Sequence, residues 1–559
     1  MVTLTNLKET KISMKKTTKT LLGLTLGFLT LLFTFSSCSE KDPVYSGPTI
    51  SVDIVASNPG KIQFLVAVTA PAGLKEVTVG DNVKTYTPDK TSDIYSYEYT
   101  GTATSLTFTV TDVKGRTADE TASIKPIQVV DANITSDASW SNDKQYLLKG
   151  NIFVTNNAKL TIAPGTIILG DKVSKGSLVI ERGSQLIAAG TASQPIIFTS
   201  AAPAGFRNYG DWGGLVILGR AVNNQGANVN IEGITAGSLG QYGGTADNDN
   251  SGTITYVRVE FAGIALSTDN ELNGVTLGSV GSGTTFNHVQ VSYSGDDSFE
   301  WFGGKVNATH LVSYRGWDDD FDTDFGYSGK VQFAAAFRDP DIADKSGSNI
   351  FESDNDGNGS ANTPLTSAIF ANVTGFGPFV YARLSSNALN NGAVSANYQN
   401  GGHIRRNTAL QIWNSVIVGA GTSLNFPFRF TNSSGGGANT AAVVKGNYIA
   451  RSVSATSITP TSGATDKGYV VDNFATDNII ESPLNKVDLS GLFTGLTGAA
   501  DINNPRATAV LSANSTLATG AIDLSGAGLT QTAYRGAVGT TIGWLGETWI
   551  NFSPQTTQY

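Results

Sequence analysis

Two neighbouring stretches concentrate carboxylates as no other part of the chain does. Asp296, Asp297 and Glu300 stand in Gly295-Asp-Asp-Ser-Phe-Glu-Trp-Phe-Gly-Gly, and Asp318, Asp319, Asp320, Asp322 and Asp324 follow in Trp317-Asp-Asp-Asp-Phe-Asp-Thr-Asp-Phe-Gly. If the two stretches stack as successive rungs, about 4.8 Å apart, their carboxylates form like-charge rows. Such rows are costly unless protonated or neutralised. A hard divalent cation with oxygen ligands is the economical remedy, and Ca²⁺ fits best, in a structural role. The plain alternative is a solvated acidic corner whose Asp side chains cap turns. Asp354-x-Asp356-x-Asn358-Gly359 matches the first half of a calcium-loop pattern, with Glu352 placed to complete it from the other side. Asp247-x-Asp249-x-Ser251-Gly252 is a weaker copy. Neither has Glu at the twelfth position, and neither lies between helices.

The same carboxylates could be catalytic. Glycosidases need two carboxyl groups about 5–5.5 Å apart for retention or about 6.5–9.5 Å for inversion, and stacked rungs offer both spacings almost automatically. For an enzyme, Asp296, Asp297 and Asp319 are the candidate carboxylates and Arg315 the candidate cation, with Lys305 and Arg338 nearby. Trp212, Trp301 and Trp317 fall close to the acidic stretches and are candidate ligand-binding platforms for sugar faces. Phe299 and Phe321 repeat in register and read as core. His288 and His310 share one repeat position and read as a stacked pair rather than a metal site, for want of a third ligand. No Gly-x-Ser-x-Gly elbow or phosphate loop is present. Cys38 is the only cysteine, which excludes a disulfide framework and a Cys-based zinc or redox site.

These residues need a scaffold that stacks them, and the repeat supplies one. His288 to His310 and Phe299 to Phe321 are both 22 residues apart, and Tyr256-Val-Arg-Val-Glu-Phe-Ala-Gly fits the same frame 32 residues earlier. Ile369-Phe-Ala-Asn-Val-Thr-Gly and Trp413-Asn-Ser-Val-Ile-Val-Gly continue the pattern. A period of about 20–25 residues rich in β-branched residues, Gly and Asn predicts a parallel β-solenoid, whereas propeller blades repeat at about 40–45. Residues 129–559 are therefore expected to form a large right-handed parallel β-helix. Residues 48–128 read differently, as short alternating runs separated by turn signals such as Asn58-Pro-Gly, and predict an immunoglobulin-like β-sandwich acting as a spacer. The fold class is all-β.

Composition supports this: 559 residues, 63 of them Gly, 40% hydrophobic and only 15% charged. From Cys38 onward 32 basic and 45 acidic side chains leave a formal −13. No basic stripe exists, so nucleic acid is excluded as a partner.

The N-terminus predicts location. Met14-Lys-Lys-Thr-Thr-Lys-Thr is a basic start, Leu21 to Phe35 an apolar segment too short to span a bilayer comfortably, and Ser36-Ser37-Cys38 follows. Met1 and Met14 are both candidate starts. Residues 1–37 are read as a lipoprotein signal peptide, Cys38 as the acylated residue and 38–47 as a tether. Ser36-Ser-Cys38 resembles a bacterial lipobox, with Phe35 where Leu is usual. Ser39-Glu-Lys-Asp42 resembles the acidic export tag of Bacteroidetes surface lipoproteins.

Gly210-Asp-Trp-Gly-Gly-Leu, the Gly295 stretch, Phe351-Glu-Ser-Asp-Asn-Asp-Gly and Tyr534-Arg-Gly-Ala-Val-Gly…Trp544 resemble a family of Bacteroidetes β-helix lipoproteins across roughly 140–559. That resemblance implies fold and location, not a reaction. Gly295-Asp-Asp and Gly402-His-Ile-Arg405-Arg406 partly resemble polygalacturonase elements, but the second Gly of the His element and the Arg-Ile-Lys order are missing. The expected function is a non-enzymatic outer-membrane surface lipoprotein, tethered by acyl chains on Cys38 and facing outward. Its β-helix would bind an extracellular polysaccharide or dock to an outer-membrane nutrient transporter. The alternatives are a polysaccharide lyase or glycoside hydrolase at the Asp-rich corner, and an adhesin or assembly scaffold.

Overall fold

The computed structural model describes residues 45–58, 61–234, 236–267, 270–384, 394–420, 428–431, 441–451, 469–481, 489–496 and 500–559. The expected signal peptide and Cys38 lie outside them. Among the described residues no helix is long and apolar enough to cross a membrane.

The first strands alternate strictly. In Lys61–Thr69, Phe64, Val66 and Val68 point inward and meet Val77, Val79, Phe108 and Val110. Two antiparallel sheets result: Thr49–Asn58, Lys61–Thr69 and Ser92–Tyr99 in one, and Leu74–Val79, Asn82–Thr85, Ser105–Asp112 and Thr117–Ser123 in the other. This region is thus a two-sheet sandwich.

From Ile127 the ladders turn parallel, as a β-helix requires. Each coil alternates between a long sheet and a shorter one, the latter running through Val275–Val280, Phe299–Gly304, Phe321–Asp324, Ser348–Ser353, Tyr398–Arg405 and Phe428–Thr431. Parallel pairing puts identical positions on top of one another. Phe299, Phe321 and Phe351 are aligned partners, their rings 5.8 and 5.7 Å apart inside the coil. This is the expected core column.

The long sheet bends within its strands. Tyr256, His288, His310, Phe333, Asn372 and Asn414 occupy one aligned column, and all have φ between 47° and 61°. Asn tolerates this left-handed conformation, whereas an aromatic pays about 1 kcal/mol or more. Here the aromatics stack along the column, His288 on His310 at 4.3 Å and His288 on Tyr256 at 4.4 Å. The predicted histidine pair is therefore a packing element.

The solenoid does not run to residue 559. Among the described residues the last strand that pairs in the coils is Ile479–Glu481. The described residues 489–496 and 500–559 carry a helical turn and short 3₁₀ turns and pack along the outside of the long sheet. The outward-pointing Val312, Tyr314, Phe337, Phe376 and Val418 form a continuous apolar stripe, and this terminal strap covers it with Phe493, Leu517, Trp549 and Phe552. Its lack of a 20–25-residue repeat is the sequence signal that separates it from the coils.

Candidate functional site

The outer face of the short sheet is treated differently along its length. Over the first coils it is apolar, and an excursion between the strands Gly214–Leu218 and Gly252–Glu260 packs Ile231, Ile234 and Tyr242 onto Val179, Val216, Leu218 and Phe302. Further along, the outward position beside the Phe column reads Thr276, Glu300, Asp322, Glu352, His403 and Arg429 on successive aligned rungs. Period-two alternation makes this unavoidable: with Phe299 and Phe321 inside, Glu300 and Asp322 must face out.

A second column sits at the corner leading into the same strands. Asn273, Asp297, Asp319, Asn349 and Asn400 follow one another by the same register. Asp319 N–H donates to Asp297 Oδ1 (2.8 Å), Asn349 N–H to Asp319 Oδ1, and Asn400 N–H to Asn349 Oδ1 (3.1 Å). The column works as an amide ladder in which two rungs carry carboxylates instead. One oxygen of Asp297 and one of Asp319 do this structural work, leaving the other available.

Between the two columns the chain leaves a recess of about 200 Å³. Glu232, Asp296, Asp297, Glu300, Asp318, Asp319, Asp322 and Glu352 line it with Ser346, Gly347 and Arg405. Eight carboxyl groups thus face one guanidinium. Burial raises the carboxyls of Asp296, Asp297, Glu300, Asp319 and Asp322 well above the usual range, and repulsion adds to it, chiefly from Asp318 on Asp296, Asp322 on Glu300 and Glu352 on Asp319 and Asp322. Burial likewise lifts Asp318 to about 6. Glu352 differs: although burial pushes its carboxyl up, Arg405 and His403 more than offset this and hold it below its ordinary value.

Three trios bring oxygens within 4.8 Å of one another: Asp296, Asp297 and Asp318; Asp297, Glu300 and Asp322; and Asp319, Asp322 and Glu352. An independent observation singles out the middle trio. Asn273 is only 3% exposed and its Nδ2 donates to Glu300, yet its Oδ1 has no hydrogen-bond partner. Asp322 Oδ1 is also unpartnered. A buried carbonyl oxygen pointing at no donor is costly, and a hard cation would satisfy it.

Several expected site residues lie elsewhere. Asp320 is fully buried on the inner side, paired with Arg338 (3.4 Å) and accepting from Ser313, so it cannot reach the recess. Asp354 is held by Arg405 and Arg406, and Asp356 accepts the N–H groups of Asn358 and Ser360. The 354–358 segment, Asn358 included, is therefore an arginine-clamped turn separate from the acidic trios. The Asp247 loop is a turn as well, with Asp247 paired to Lys305 and Asp249 accepting from Arg220 N–H. Arg315 pairs with Asp339 (2.8 Å), packs beside Tyr293 and Tyr314 and bonds Asn503 of the strap, so the cation at the recess is Arg405 instead.

The tryptophans divide. Trp301 and Trp212 are completely buried, Trp301 stacked on Tyr327 at 5.4 Å and Trp212 donating to the Glu260 carbonyl (2.8 Å). Neither can be a platform. Trp301 points inward because it is two residues from Phe299, on the same side of the strand. Trp317 is partly exposed, edge-on to Tyr209 at 5.1 Å and adjacent to Asp318. Three residues of the site escaped the sequence reading: Arg405, Asn273 and Glu232. Asn273 carries a usable signal, 24 residues before Asp297 in the repeat frame. Glu232 arrives on the excursion and has no repeat partner to announce it.

The model of the "pectate-lyase like beta helix domain" family matches residues 132–487. No curated protein matches the sequence. Among solved structures, the crystal structure of the Dettilon tailspike protein (gp208) is 12% identical, covering 64% of both chains with a TM-score of 0.20. The catalytic domain of a GH87 α-1,3-glucanase in complex with tetrasaccharides is 10% identical, covering 73% of this chain and 90% of that one, also with a TM-score of 0.20.

Proposed function

The chain belongs to the pectate-lyase-like β-helix family, and from that premise we propose that it is a surface-tethered binding protein whose acidic recess seats Ca²⁺ and engages an extracellular polysaccharide. The observation carrying this reading is the charge imbalance, eight carboxyls against Arg405, combined with the orphaned oxygen of Asn273. Asp297, Glu300, Asp322 and Asn273 would hold the ion. Ca²⁺ takes about six to eight oxygen ligands at flexible geometry, so sugar hydroxyls could complete its shell. Trp317 beside Asp318 offers a partly exposed ring for stacking. Acylation of Cys38 would anchor the protein to the outer membrane, facing outward, where a nutrient transporter is the natural neighbour. Exchanging Cys38 for Ala should move the protein from the membrane to the soluble fraction.

The test is gel retardation of the soluble chain from residue 39 in plant and bacterial polysaccharides, with Ca²⁺ or with chelator. Retardation that needs Ca²⁺ and leaves the polymer intact supports binding. New reducing or unsaturated ends would overturn the non-enzymatic reading.

A second reading, a polysaccharide lyase or glycoside hydrolase, is favoured by one observation. Asp318, lifted by burial to about 6, keeps its proton into mildly acidic conditions beside carboxyls within reach, in the range a general acid uses. Turnover lost in Asp318→Asn with binding retained would establish it.

A further inference from the structure

Apolar packing alone does not explain how the strap is held. At three separated points a buried side-chain amide of the solenoid grips both the N–H and the C=O of one strap residue. Gln290 Nε2 donates to the Asn551 carbonyl (2.7 Å) while its Oε1 accepts from Asn551 N–H (2.8 Å). Gln332 holds Thr530 in the same way (2.7 and 2.9 Å), and Asn414 holds Ile522 (2.9 and 2.8 Å). The three amides are 0%, 3% and 0% exposed. Between these points Thr374 Oγ1 accepts from Ala537 N–H (2.8 Å). At the far end Arg207 donates to the carbonyls of Pro554 and Thr557, and the Tyr559 hydroxyl donates to the buried Glu260 carboxylate (2.7 Å).

The strap's path has two passes. Ile522 and Thr530 meet Asn414 and Gln332; residues 532–537 then double back, with Asn372 bonding Thr532 and Gly536 N–H donating to the Asn414 carbonyl, before Asn551 and Tyr559 reach Gln290 and Glu260. Paired main-chain recognition at intervals, beside aromatic anchors, gives affinity through the backbone and selectivity through the side-chain pockets, as in peptide-binding surfaces. The anchors here are Trp549 and Phe552, both buried.

We propose that the outer face of the long sheet is a polypeptide-binding track, and that residues 514–559 are its ligand, held in cis and exchangeable for the same segment of a second copy of this chain. All the contacts above lie C-terminal to the exposed turn Ala513-Asn514. The segment therefore carries its own recognition determinants.

The test starts from the full chain with a site-specific protease sequence inserted at Ala513-Asn514 and cut after folding. The released segment should co-elute with the solenoid on size exclusion. Excess fluorescent synthetic 514–559 should replace it over time. In the doubly substituted chain Gln290→Leu/Gln332→Leu, release should be at least tenfold faster. Should that variant fail to fold, a synthetic segment N-methylated at Thr530 removes one clamped donor without touching the solenoid, and it should compete at least tenfold less well. Immediate loss of the segment from the cut wild type, retention without exchange, or indifference to both changes would each overturn the proposal.

Discussion

The two outer faces of this solenoid are built on the same register and solve it in opposite ways. On the long sheet, stacking repeats neutral side chains, and the apolar stripe they form is covered by the chain's own C-terminal strap. On the short sheet, stacking repeats carboxylates, and Arg405 is the one cation among the described residues lining the recess. Stacking gains dispersion energy for rings and hydrogen bonds for amides, but for charges it accumulates repulsion. Glu352 marks the border: one rung further on, where Arg405 supplies the counter-charge and His403 stands beside it, the carboxyl is comfortable again. Among the residues lining the recess, no second guanidinium or ammonium stands beside the middle trio, and its carboxyls are correspondingly raised.

Adjacent residues on one strand should break this comparison most sharply. Phe321 sits between Phe299 and Phe351 inside the coil, so Phe321→Ala should cost about 3–5 kcal/mol, read by urea unfolding. Trp301→Ala should fall in the same range. Asp322→Asn, one residue from Phe321 but facing out, should instead raise the melting temperature in chelator, because it removes a repelled charge. If Asp322→Asn destabilised as strongly as Phe321→Ala, the repulsion argument would be lost.

Calcium should reverse that second sign. An ion at about a hundred times its Kd stabilises by about 2.7 kcal/mol, so wild type should melt several degrees higher in Ca²⁺ than in chelator. Asp322→Asn and Glu300→Gln should lose that increment. An unchanged wild-type melting temperature in every divalent cation tried would remove the metal from the recess.

The pH response follows from the same groups. The recess carboxyls are raised in the fold, Asp318 to about 6, so the folded state binds more protons than the unfolded one and stability falls as pH rises through that range. His288 and His310 are lowered by burial to about 4, with His288 adding to the shift of His310. Their contribution is present above about 6.5 and is lost as pH falls toward 4. In chelator the melting temperature should therefore rise from pH 7.5 to about 5.5 and decline below. With Ca²⁺ bound, the alkaline side of that curve should flatten or invert.

The β-helix was legible because its determinants are local and repeated: Phe299 with Phe321, and His288 with His310, state a register that the backbone then obeys. The acidic trios were legible for the same reason. Glu232 escaped because it rides on the excursion, outside the repeat. Arg405 stands in a coil strand, but two coils beyond Asp322, so no short spacing links it to the Asp stretches, and Asn273 lies in the repeat frame without a carboxylate to mark it. The calcium-like pattern at 354–358 misled because its residues are satisfied by Arg405, Arg406 and local N–H groups, none of which the pattern contains. Trp301 lies close to the acids in sequence, but the period-two alternation turns it inward with Phe299.

Trp317 carries the smallest expected change in stability and the most specific one in function. Its ring meets Tyr209 edge-on at 5.1 Å, while its backbone carbonyl, which Ala would keep, accepts from Ser348 Oγ (2.9 Å). Trp317→Ala should therefore shift unfolding by about 0.5 kcal/mol or less, as surface changes usually do. Retardation in any polymer that binds should weaken clearly, since a lost stacking surface removes area that no neighbouring ring replaces. The Ca²⁺ increment in melting temperature should survive intact, because no oxygen of the recess has moved. If retardation persisted unchanged while Glu300→Gln abolished it, the polymer would be gripped through the ion and carboxylates alone. The aromatic corner would then belong to the strap-covered side of the molecule rather than to the recess.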